Sequence, residues 1–406
     1  MKIGVLTIGA ELLNGARIDT NSNWISKTVI DHGGMVEFNI STKDNQSSII
    51  KALDFLLDQS IDMIIMTGGL GPTHDDITAK TLFEYFDDIP ILDEKYWNFL
   101  VSRFKKKGFK VSALNKTLAL KPSNGKIIDN PIGTARGLHF SSNKKEIIAL
   151  PGVPSEMKSM MREATLPMIK KISQKSIHSS ILRTTGITES SLYEKLFSLI
   201  KQAPDVELAF LPSLFGVDLR ISSTDNDKFS NFLMQVKILL DEFIYSDKNL
   251  ELEEVVVNLL NNHNLTVATA ESCTGGLIGD RITNTSGVSR VFKGGIIAYS
   301  NEIKINQLGV KKETIQKFGA VSIETASEMA AGVQKLFSTD IGISSTGIAG
   351  PLGGNKDKPV GLVYIAISIN GVTTVYKNNF KSNRKNNKRI TSQVALNLVR
   401  KELLKF

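Results

Sequence analysis

The stretch IDMIIMTGG, residues 61 to 69, constrains the fold more than any other. An unbroken apolar run that stops at a glycine pair lacks the alternation of a half-wet strand and reads as a strand buried on both faces. Strand and helix patterns alternate around it through residues 1 to 170. KIGVLTIG is a strand, a helix runs from about Asn21 to His32, and MVEFNIST is a second strand. A helix follows near Ser47 to Gln59, and KEIIALPGVP carries a further strand into a Pro-Gly turn. This order specifies an α/β domain on a parallel sheet, with ligands expected beyond the carboxyl ends of the strands.

The pattern changes after about Ser173. HSSILRTTG (strand), ESSLYEKLFSLIKQ (helix), VELAFLPS and GVDLRISST (strands) and KFSNFLMQVKILLDEFIY (helix) suit a small α+β unit of ferredoxin-like kind. A third unit opens with the amphipathic helix EEVVVNLLNNH, the strand LTVATA and the turn ESCTGG. A chain of 406 residues exceeds one ordinary core, so three domains are expected, at 1–170, 171–248 and 249–406, in a multidomain α/β protein.

Composition excludes several classes. No apolar run approaches the roughly 20 residues that span a bilayer, so no membrane role is expected. The start, MKIGVLTIGAELL, reads as a buried first strand rather than a signal peptide, and a cytoplasmic location is expected. The single cysteine, Cys273, excludes a disulfide framework and a multi-cysteine zinc site. The net charge of +8 is scattered, with clusters at Lys105 to Lys107 and between Lys377 and Arg389. No stretch interleaves basic and aromatic residues, so a nucleic-acid partner is not expected, and the charge suits phosphorylated small molecules.

In the third unit, chemistry is bounded first by what is missing. The histidines are His32, His74, His139, His178 and His263, so no Ser-His-Asp triad can be drawn from the residues beyond 263. Ser272, in Glu271-Ser272-Cys273-Thr274-Gly275-Gly276, stands where a strand passes into the helix LIGDRI. A hydroxyl there faces the positive end of a helix, and the N–H groups of Thr274, Gly275 and Gly276 can stabilise an oxyanion, by about 3–4 kcal/mol per well-placed donor. Helix capping by Ser272 or Thr274 fits the same motif. Cys273 is an alternative nucleophile, but without a nearby histidine its activation lacks support. FKGGIIAYSNEIK sets Tyr299 and Lys304 after a glycine pair, and SSTGIAGPLGG offers Thr346 and Gly347 as an anion or ribose-phosphate cradle.

The first unit carries TGGLGPTHDDIT, residues 67 to 78. Gly68, Gly69 and Gly71, with Thr73, can line a phosphate, while Asp75 and Asp76 can either hold a divalent cation or cap the next helix. Glu11, Asp19 and Asn21 follow the first strand and are expected in the same cleft.

SCTGG, the GGxxAYSNEIK stretch, LGV, GAVS and TGIAGPLGGNKDKPVG resemble the carboxy-terminal domain of the competence-damage-inducible (CinA) family, over residues 250 to 405. That domain is similar to stand-alone nicotinamide-nucleotide amidases. The resemblance implies metal-free hydrolysis of nicotinamide mononucleotide to nicotinate mononucleotide and ammonia. It implies Ser272 as nucleophile, Lys304 as base and Tyr299 as a partner that orients or relays the proton. Thr346 and Gly287 fall on active-site positions of the family. Arg384 and Arg389 fall where the family has basic residues, suited to a phosphate clamp. The chain departs from the pattern at Ser286-Gly287-Val288, where Pro-Gly-Ser is usual, and at Ser382-Asn383, where Gly-Asp is usual.

The glycine loop, GTARG (133–137) and PGVPSEM (151–157) resemble the family's molybdopterin-binding-like amino-terminal domain. For that half the resemblance implies an ADP-ribose pyrophosphatase with a divalent metal of the Mg or Co type, with or without K+. Ala10 stands where Thr is usual and Arg136 where Pro is usual. Two alternatives stand beside this reading: a molybdopterin-type binding or adenylyl-transfer protein, and an interaction protein of DNA uptake or repair. A homodimer is expected from exposed sheet edges.

Overall fold

The computed structural model describes residues 1–106, 108–173 and 177–406, so Lys107, the last of the first lysine cluster, lies outside the described residues. The chain divides into two compact units: Met1–Ser179 with Ser223–Asn226, and Ser180–Ser222 with Asp227–Phe406.

The first unit is built on a six-stranded sheet. Its strands lie in the order Met35–Thr42, Lys2–Ile8, Met63–Thr67, Lys145–Leu150, Gly137–Ser142 and Lys126–Ile128. Met63–Thr67 is wholly buried, with Ile64 and Met66 in one core and Met63 and Ile65 in the other. Gln46–Asp58 covers the first face through Ile49, Leu53 and Leu56, and Thr20–Asp31 the second through Ile25 and Val29. The expected parallel sheet is mixed: five strands run one way, and Gly137–Ser142 runs antiparallel to both its neighbours. The reason is a tight hairpin at Asn143-Lys144, both at positive φ, which reverses the chain where a crossover helix would be needed for parallel pairing.

The second unit holds two sheets. The smaller one orders Glu207–Pro212, Val217–Ser223, His178–Thr184 and Ile244–Ser246, the second, third, first and fourth strands of a strand–helix–strand–strand–helix–strand chain, as in a ferredoxin-like fold. The helix expected to run through Tyr245 ends at Leu240. Its aromatic and β-branched tail instead forms the last strand, pairing with Thr184 and burying Tyr245.

The larger sheet orders Phe292–Ile297, Val267–Glu271, Ile341–Gly347, Leu362–Ile369 and Val372–Asn379. The first three are parallel, and Leu362–Ile369 runs antiparallel to both its neighbours, turning into Val372–Asn379 through Asn370-Gly371 at positive φ. Leu252–His263 and Arg384–Leu403 pack on one face, Ile323–Phe337 on the other. Glu271, Ile297 and Gly347 therefore end their strands at one edge of this sheet. No described helix is long and apolar enough to cross a membrane.

Candidate active site

Ser272 sits one residue beyond Val267–Glu271, and its own N–H donates to Ser345 O at 2.9 Å, extending the ladder with Ile341–Gly347. Glu271, not Ser272 or Thr274, satisfies the start of the following helix, Leu277–Thr283. Its buried carboxylate accepts from the N–H of Ile278 at 3.0 Å and of Gly279 at 2.8 Å. The Ser272 hydroxyl is thereby left to Lys304. Lys304 Nζ lies 3.1 Å from Ser272 Oγ and also donates to the carbonyls of Ala298 (2.7 Å) and Tyr299 (3.3 Å). Lys304 is 1% exposed, on the helix Asn301–Leu308 whose first turn Ser300 caps. Among the described residues no carboxylate reaches its amine, and burial pushes the amine below the usual lysine range.

The loop after Ser272 turns through Gly275 and Gly276, at φ +62° and +93°. That backbone leaves the N–H groups of Thr274, Gly275 and Gly276 with no acceptor among the described residues. The Thr274 hydroxyl meets Ser345 Oγ at 2.6 Å. Cys273 is buried, and desolvation pushes its thiol up to about 12, which keeps it protonated at neutral pH.

Tyr299 is 64% exposed. Its backbone carbonyl touches Lys304, whereas its hydroxyl accepts from Arg384 Nη2 at 3.1 Å; no described hydrogen bond joins that hydroxyl to Ser272 or Lys304. Arg384 also donates to Gly350 O at 2.9 Å. Thr346 stands at the end of the neighbouring strand, but its hydroxyl is turned to Ala320 O at 2.7 Å. Gly347 packs against the strand beside it, where a Cβ would lie 2.6 Å from Leu362 O.

In the first unit, Glu11, Asp19 and Asn21 line one cavity of about 110 Å³ with Thr7, Thr67 and Gly152. Asn21 Nδ2 donates to Thr67 Oγ1 (3.1 Å) and Gly152 O (2.8 Å), and Asp19 Oδ1 caps a helix through Ser22 N. The other oxygens, Asp19 Oδ2 and Asn21 Oδ1, are buried without a hydrogen-bond partner. Gly68 follows the strand Met63–Thr67 so close to Ile8 O that a Cβ would lie 2.2 Å from it, and a Cβ on Gly69 would lie 2.3 Å from Thr78 Oγ1. Asp75 and Asp76 do not line this cavity. Both carboxylates bond Thr73 Oγ1 at 2.5 Å, Asp76 also takes Thr73 N at 2.9 Å, and Gly71 packs on Asp76. Among the described residues no group of three or more His, Cys, Asp or Glu has the arrangement of a metal site.

Three family models match the chain: the CinA C-terminal domain at 249–403, the damage-inducible protein CinA KH domain at 179–246, and a probable molybdopterin binding domain at 4–171. A competence-damage inducible protein of Caldicellulosiruptor saccharolyticus is 40% identical over 100% of this chain and 100% of its own length. The chain belongs to the CinA family. A CinA-like protein of Kosmotoga olearia is likewise 40% identical, over 100% of this chain and 99% of its own. The crystal structure of the competence/damage inducible protein CihA from Agrobacterium tumefaciens is 37% identical, covering 38% of this chain and 93% of its own, with a TM-score of 0.37. These names assign no reaction.

Two CinA positions do not meet at Ser272. Gly287 lines a groove with Leu265, Thr266 and Arg290, at the start of Val267–Glu271, whereas Ser272 lies past the end of that strand. Arg389 stacks on Phe215, its guanidinium carbon 5.1 Å from the ring centroid. The cation that does reach the serine loop is Lys388, whose Nζ would lie 3.3 Å from a Cβ on Gly275. The periodicity of the helix Arg384–Leu403 carries that signal, because Arg384 and Lys388 are four apart and share a face. Arg136, where CinA proteins usually have Pro, is a buried structural residue: it bonds Asp93 Oδ2 at 2.8 Å and lies 3.8 Å from the Tyr96 ring centroid.

Proposed function

We propose that the Ser272 site hydrolyses the carboxamide of nicotinamide mononucleotide, releasing ammonia and nicotinate mononucleotide. The observation that carries this reading is a buried lysine amine 3.1 Å from a serine hydroxyl, with no described carboxylate to hold its charge. Neutral Lys304 accepts the Ser272 proton as Oγ bonds to the carboxamide carbon and the carbonyl electron pair moves onto oxygen. The free N–H groups of Thr274 to Gly276 are the donors for that oxyanion. Collapse breaks the C–N bond, Lys304 returns its proton to the leaving nitrogen, and ammonia departs. Water then attacks the ester, giving a proton to Lys304, which passes it to Ser272 Oγ as the ester C–O bond breaks and nicotinate mononucleotide is released. The substrate's pyridinium charge makes its carbonyl more electrophilic. Arg384 and Lys388 supply charge for the phosphate, and no step calls on a metal. In the full chain, Ser272→Ala should abolish ammonia release; an active Ser272→Ala protein sinks the assignment.

A second activity is supported by the two unpartnered buried oxygens of the amino-terminal cavity. Asp19 Oδ2 and Asn21 Oδ1, beside Glu11, form an all-oxygen donor set that suits a hard cation such as Mg2+ or K+. These residues would hold it, and a bound cation supplies charge neutralisation for a pyrophosphate of the ADP-ribose type.

A further inference from the structure

The inference here rests on the amidase reading and adds a residue from outside the catalytic domain. Along the helix Arg384–Leu403, Arg384, Lys388 and Ser392 recur every four residues on one face. Arg384 bonds Tyr299 Oη and Gly350 O, Lys388 approaches Gly275, and Ser392 Oγ accepts from Arg281 Nη1 at 3.1 Å. Arg281 lies on Leu277–Thr283, the helix that follows Gly275-Gly276 directly. One ring touches both helices. Phe215, at the hairpin tip between Glu207–Pro212 and Val217–Ser223, lies 4.7 Å from the Arg281 guanidinium carbon and 5.1 Å from that of Arg389.

The hairpin is tied down by the same network. Thr185 Oγ1 donates to Phe215 O at 2.8 Å and accepts from Gln393 Nε2 at 3.3 Å. Gln393 Oε1 accepts from Arg281 Nη2 at 2.8 Å, and Glu253 pairs with the same guanidinium at 2.6 Å. Arg281 is thus buried and held on several sides, whereas the exposed Arg389 guanidinium has the Phe215 ring as its one described partner. Lys388 precedes Arg389 by a single residue, so the helical turn that carries Arg389 to Phe215 also carries Lys388 to the serine loop.

We infer that Phe215 is a positioning residue for the phosphate side of the Ser272 site, through which the small ferredoxin-like sheet sets substrate affinity. Ring–guanidinium contacts of this kind correspond to about two- to thirtyfold in an equilibrium constant. The test measures ammonia release by the full chain from nicotinamide mononucleotide and from nicotinamide riboside, which lacks the phosphate. Phe215→Leu keeps the apolar volume but removes the ring. It should raise KM for the nucleotide by about two- to thirtyfold, leave kcat within about twofold, and leave kcat/KM for the riboside unchanged. Phe215→Tyr should restore the wild-type KM, and Phe215→Leu combined with Arg389→Gln should be no worse than the poorer single variant. If Phe215→Leu does not fold, Arg389→Gln alone must show the same split. An unchanged nucleotide KM, or an equal loss on the riboside, overturns the inference while leaving the amidase reading intact. A wild-type protein that releases no ammonia overturns both, and is told apart by that control.

Discussion

Replacing Lys304 by methionine removes the amine and keeps most of the buried stem, so it separates chemistry from packing. A general base is worth about 10²–10⁴ in rate, or about 3–5 kcal/mol on the barrier. The structural cost is smaller. The carbonyls of Ala298 and Tyr299 lose a donor, at about 1–3 kcal/mol for an unsatisfied buried group. Against that, the variant no longer buries an amine that dehydration disfavours. Lys304→Met should therefore stay folded with ammonia release reduced at least a hundredfold, read as kcat on nicotinamide mononucleotide beside a urea melt.

The pH dependence follows from the direction of the Lys304 shift. Burial lowers its pKa from the ordinary lysine value of 10.5, and only the neutral amine can take the serine proton. Wild-type kcat should rise with pH on a limb centred below 10.5. The unfolded chain holds the proton more tightly than the folded one, so stability should also rise as pH climbs from the lowered value toward 10.5. Lys304→Met should flatten both trends. A variant within tenfold of wild-type activity, or one that keeps the ascending limb, refutes the role given to this lysine.

Cys273→Ala should keep its ammonia release, because a thiol pushed up to about 12 is protonated at neutral pH; a folded but dead variant would reopen the thiol as nucleophile. Glu271→Gln should lower stability by about 1–3 kcal/mol in urea melts, since the amide offers one acceptor to two N–H groups that now share a carboxylate. A wild-type melt would mean that water caps that helix equally well. Asp19→Ala should abolish metal-dependent cleavage of ADP-ribose and leave ammonia release untouched; retained cleavage would remove the amino-terminal cavity from that reaction.

Much of the frame was legible because burial writes itself into composition. The run at 61–69 has no polar alternation, and its strand is covered on both faces by separate cores. Pairing direction was not legible. A two-residue turn at Asn143-Lys144 decides it, and nothing in the apolar pattern on either side distinguishes a hairpin from a crossover. At the site, Ser272 and Lys304 were readable, since a serine in a glycine turn and a lysine beside a strand end bring their type with them. Arg389 was not, because one step along a helix turns a side chain by about 100°. That rotation sends Arg389 to Phe215 and Lys388 to Gly275. Gly287 failed for another reason: its position along the chain says nothing about which end of a strand its loop occupies.

The division of labour between Glu271 and Ser272 links these threads. A serine at the mouth of a helix ordinarily caps it, and a capping hydroxyl is engaged as an acceptor and is a poor nucleophile. Here the strand ends one residue earlier in a carboxylate, which takes the N–H groups of Ile278 and Gly279. Two consequences follow together. The Ser272 hydroxyl is left to Lys304, and the N–H groups of Thr274 to Gly276 have no acceptor among the described residues. In the proposed reaction, when Lys304 takes the proton an ammonium forms beside the nascent oxyanion, and the two charges compensate. On that reading, the desolvation that lowers the pKa of the resting lysine also strengthens its attraction to the oxyanion, so burial acts on both sides of the barrier.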